Sequence, residues 1–105
     1  MKFKFPYKGY HPDELVRRAG FGQWKDKAHG GISYTRKLGT ENYPRFHVHI
    51  VEYEKYFEVE LHLDQKQPSY LKGKAHSSEY DGQVVEDEAR RITAVIAGIY
   101  EGRNP

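Results

Sequence analysis

Two stretches, 45–52 and 57–63, alternate apolar and polar residues one by one, and they limit the possible folds more than anything else in the chain. Phe46, Val48 and Ile50 share one side of the first; Phe57, Val59, Leu61 and Leu63 share one side of the second. A period of two is the mark of a half-buried strand. Joined as a hairpin, the two must meet apolar side to apolar side, because a slip of one residue would turn every apolar side chain toward water. That condition selects an even-length loop around Glu54 and Lys55. It pairs Phe46 with Leu63, Val48 with Leu61 and Ile50 with Val59.

The same register populates the reverse face. His47 falls opposite His62 and His49 opposite Glu60, while Glu58 and Asp64 extend the row. Directly opposed residues have Cβ atoms about 4.5–5.5 Å apart, close enough to share one ion or proton. The chain contains no cysteine, so a metal here would have nitrogen and oxygen donors only, which suits zinc or manganese. Histidine and glutamate are ordinary on a wet sheet face; the opposition of His-x-His to Glu-x-His raises this row above that background. The expectation is a divalent ion, zinc or manganese, held by His47, His49 and His62. Glu60 would act as ligand or as general base for a metal-bound water, in a site of the metal-assisted hydrolytic or ligand-binding kind. A small phosphate-containing ligand is the expected substrate class.

The remaining elements assemble around the hairpin. Lys2 and Lys4 alternate with Phe3 and Phe5 as a short edge strand that Pro6 closes. Pro12-Asp13-Glu14 opens a short helix with Leu15, Val16 and Ala19 inward and Gly20 as its left-handed stop. Residues 21–31 read as loop, 32–38 as a strand and 39–42 as a turn. Residues 84–100 form the main helix, with Val85, Ala89, Ile92, Val95, Ile96 and Ile99 in one stripe. The expected fold is a single α+β domain over residues 1–105. Its core is an antiparallel three-stranded meander, with an optional fourth N-terminal edge strand and two helices on one face. The order (β)-α-β-β-β-α is that of double-stranded-RNA-binding domains.

Residues 64–82 show no periodicity and read as one long loop, a length that usually carries function. It begins where His62 and Asp64 end. Folded back over the polar face, it would bring His76 and Glu79 to the site as proton-transfer groups; the competing role of its Ser77, Ser78 and Asp81 is to prepare the following helix.

A second function class arises from charge. Residues 1–50 carry ten lysines and arginines against four acids, and residues 51–105 carry seven against eleven. With nine tyrosines in the chain, cations beside aromatics point to a non-enzymatic RNA- or DNA-binding module. Glu58, Glu60 and Asp64 on the sheet would repel phosphate, so binding is assigned to Arg17, Arg18, Trp24, Lys25 and Lys27. Leu15-Val16-Arg17-Arg18-Ala19-Gly20-Phe21, a basic loop and Gly30-Gly31-Ile32-Ser33-Tyr34 together resemble the HicA family of small toxins that act on mRNA. The resemblance spans residues 14–50 and implies topology. It transfers no catalytic residue: Ile32 stands where the family has its active histidine, and His29 precedes the glycines. A third class is a protein-interaction or self-associating domain, monomer or homodimer, using charge asymmetry or an edge strand.

Without cysteines, and without an apolar leader in residues 1–10, a reducing cytoplasm is the expected location. No apolar run is long enough for a membrane span.

Overall fold

The computed structural model describes residues 1–26, 31–66, 76–79 and 82–102. In chain order the elements are β1 (Lys2–Pro6), α1 (Pro12–Arg18), β2 (Gly22–Asp26), β3 (Gly31–Lys37), β4 (Arg45–Glu52), β5 (Tyr56–Lys66), β6 (His76–Glu79) and α2 (Gln83–Tyr100). The strands form one antiparallel sheet in the order β1-β5-β4-β3-β2, with β6 also paired to β5.

The α+β class is as expected, while strand number and topology depart from the RNA-binding-domain order. Two of the added strands lie in segments expected to be loop. Residues 22–26 pair with β3, with Trp24 opposite Ser33. Residues 76–79 pair with the end of β5, which itself extends to Lys66. The N-terminal strand is an integral member, with Phe3 opposite Val59 and Phe5 opposite Phe57.

The central hairpin has the register that its apolar pattern demands: Phe46 faces Leu63, Val48 faces Leu61, and Ile50 faces Val59. The turn closes where the Tyr53 N–H donates to the Tyr56 carbonyl at 2.8 Å. Both helices cover the apolar face. Leu15 and Val16 of α1 and Val85, Ile92 and Ile96 of α2 are completely buried with Val48, Phe57, Val59 and Leu61. α1 ends at Gly20, whose φ of +98° favours glycine; the Phe21 N–H then returns to the Val16 carbonyl at 3.1 Å, folding Phe21 into the core.

A buried charge joins the two helices to the sheet. Arg36 shares the helix-facing side of β3 with buried Tyr34, and its Nε and Nη2 donate to both oxygens of Glu88 at 2.9 and 2.8 Å. Arg91 grips the same carboxylate from α2 and also donates to the Ala19 carbonyl at the end of α1. Burial pushes the Glu88 carboxyl upward, but the bonds from Arg91 and Arg36 outweigh it and hold the group below its ordinary value. Among the described residues, no helix is long and apolar enough to cross a membrane.

Candidate metal centre on the reverse face of the sheet

Side chains alternate along a strand, so burial of Leu61 and Leu63 on the helix side sends His62 and Asp64 to the opposite side. The pairing of β4 and β5 then sets His47 opposite His62 and Arg45 opposite Asp64. Asp64 is therefore the diagonal neighbour of His47 and the same-strand neighbour of His62. Its two oxygens are divided between them: His47 Nδ1 lies 3.0 Å from Oδ2, and His62 Nε2 lies 2.9 Å from Oδ1.

An ionised carboxylate only accepts hydrogen bonds, so both facing ring nitrogens carry the proton. In a neutral His47 the lone pair then sits on Nε2, which is buried and has no hydrogen-bond partner among the described residues. One donor atom from each of His47, His62 and Asp64 can be chosen so that all lie within 4.8 Å of one another. Burial raises the Asp64 carboxyl, yet the hydrogen bonds and charges of His47 and His62 overcome it and hold the group well below the usual carboxylate range.

The polar face is largely covered at this point. His62 and Asp64 are each only 8% exposed. Part of the cover comes from β2 and β4. Small Ser33 and Thr35 on β3 separate Trp24 from His47, and the Trp24 ring reaches across to meet the His47 ring edge-on, with centroids 5.7 Å apart. The Arg45 guanidinium stacks over Trp24 at 4.9 Å and over Tyr43 at 4.6 Å.

His49 belongs to the group without touching Asp64. Its ring stacks on His47 at 4.7 Å and lies 6.1 Å from His62, and the residue is exposed. Desolvation, then the charges of His47 and His62, lower its pKa against the opposing pull of Glu60 and Asp64. Glu60 lies opposite His49 on one side and Lys2 on the other, and pairs with Lys2 at 4.0 Å. The backbone of His76 is in register with Lys66. The backbone of Glu79 is in register with Leu63.

Of the residues assigned to nucleic acid, Arg17 and Arg18 lie on α1 and Trp24 and Lys25 on β2. Arg17 and Arg18 form ion pairs with Asp13 and Glu14 one turn earlier on α1, both at 2.9 Å. Lys25 alternates with Trp24 and takes the other face of β2. Lys27 lies outside the described residues. Asp64 and Arg45 were absent from the expected ligand set; the His62-x-Asp64 spacing, continuing the row opposite His47, was the signal for the first. The chain matches no protein-family model, no curated protein and no solved structure.

Proposed function

We propose that this chain binds a divalent cation through His47, His62 and Asp64, and that zinc is the ion its donors suit. The observation that carries this reading is the convergence of two imidazoles on the two oxygens of one buried carboxylate. Two nitrogens and one oxygen favour zinc over manganese, which prefers an oxygen-rich octahedral shell. Tetrahedral zinc with bonds of about 2.0–2.1 Å separates neighbouring donors by about 3.3–3.5 Å. The separations of 3.0 and 2.9 Å would open by a few tenths of an ångström, and the widest separation in the set, up to 4.8 Å, would close by about an ångström. A cation held there would replace the two hydrogens that face Asp64, and each neutral imidazole would shift its proton to the other ring nitrogen.

Three protein ligands leave a fourth position, the arrangement in which zinc acidifies a bound water to a pKa of about 7. Exposed His49 stacks on the His47 ring beside this group. Glu60, opposite His49 on the same face, is the carboxylate assigned to accept the water's proton in a hydrolytic use of the site.

Trp24, the only tryptophan in the chain, gives a built-in reporter 5.7 Å from His47. Titration of the metal-free protein with zinc should change its fluorescence at one equivalent and raise the melting temperature. Asp64→Asn removes an anionic ligand and should weaken binding by at least about tenfold, the loss that follows even when an outer-shell carboxylate is removed. Absence of both a fluorescence change and a thermal shift with zinc would end this reading.

A further inference from the structure

Arg45 is a cation held in place with little to hold. Its guanidinium lies against Trp24 and Tyr43, and its side chain is 13% exposed. Nε is buried and has no hydrogen-bond partner among the described residues, and its distance of 3.8 Å from Asp64 Oδ2 is too long for one. Two aromatic faces fix the plane of the fork, so its donors point in a constant direction. A buried guanidinium donor left unpaired is costly, more so than a neutral group.

Charge balance says what would pair with it. Asp64 and Arg45 cancel when no ion is present. A divalent cation on Asp64 and two neutral imidazoles leaves a net charge of +2 in a site that is mostly shielded from water. Such a charge is stable only with an anion beside it. Arg45 lies opposite Asp64 in register with its Nε 3.8 Å from the carboxylate, so a ligand on an ion held by Asp64 is within reach of Nε as well. We infer that, given the metal reading above, the site takes an oxyanion, of the phosphate or carboxylate kind, with one oxygen on the ion and another on the Arg45 guanidinium. Arginine forks match these groups with two parallel hydrogen bonds. In the absence of the ion the Asp64 charge opposes such a ligand, so oxyanion binding depends on metal and, by linkage, tightens metal binding by the same factor.

Cobalt(II) tests this directly, because its visible spectrum reports the ligands around it. Inorganic phosphate and, separately, acetate are titrated into cobalt-loaded and metal-free protein. The expected result is a saturable change in the cobalt spectrum and binding at least tenfold tighter than to metal-free protein. Whichever of phosphate or acetate binds more tightly identifies the oxyanion class. Arg45→Met should weaken oxyanion binding about tenfold or more, the value of a charge-assisted hydrogen bond, and Arg45→Lys should recover part of the loss. Cobalt itself should still bind to Arg45→Met, since removing a like charge does not weaken a cation. Cobalt binding with no spectral response to either anion, or an identical response from Arg45→Met, would overturn the inference and leave the metal reading intact. No cobalt or zinc binding at all would remove both.

Discussion

At the scale of single residues, the chain uses buried carboxylates in two opposite ways. Glu88 is surrounded by permanent cations, Arg36 and Arg91, and is a structural group. Asp64 is surrounded by imidazoles, whose protons can be exchanged for a metal ion. The first arrangement predicts a pH dependence of known sign. The folded-state value of Glu88 is depressed, so its stabilising contribution is complete above the unfolded carboxylate range and is lost as pH falls below about 4. Glu88→Gln leaves Arg36 and Arg91 without their counter-ion. The cost should be about 2–4 kcal/mol, below the full penalty for a broken buried pair because both arginines are about one-third exposed. Urea unfolding at pH 7 and at pH 3 measures both effects, and the mutant's deficit should shrink at the lower pH.

At the scale of elements, the hairpin of β4 and β5 sorts its residues into two populations with different tasks. Val48 and Leu61 are completely buried, and an aspartate at either place would be an unpaired charge in the core. Val48→Asp should therefore unfold the protein, a loss of several kcal/mol, whereas exposed His49→Ala should leave the melting temperature within a few degrees. The reverse outcome would mean that the two faces are exchanged. This hairpin was legible because seven apolar residues repeat with a period of two, leaving one acceptable register. β2 was not legible: Gly22-Gln23-Trp24-Lys25 has no apolar alternation, and residues 22–25 are exposed, so its pairing owes little to burial. β6, His76–Glu79, likewise carries no strand-like alternation of apolar residues. For the site, the row His47, His49, Glu60, His62 could be drawn from register alone. The central role of Asp64 could not, because it depends on which ring nitrogens face inward and on Trp24 crossing two small residues of β3.

For the whole molecule, β5 is the common member. It pairs with β4 along one edge and with both β1 and β6 along the other, and its Phe57, Val59, Leu61 and Leu63 lie under the helices. His62 and Asp64 are interleaved with those core residues on the same few ångströms of backbone. Fraying of a terminal strand cannot separate the two ligands, since their positions change only when the central hairpin opens. Amide hydrogen exchange at residues 61–64 should accordingly proceed through global unfolding and be among the slowest in the chain. Bound zinc should slow these amides and the core amides of α2 by a common factor, set by concentration over dissociation constant. An ion seated here would leave by ligand substitution rather than by unfolding, while the strand beneath stays closed for as long as the protein remains native.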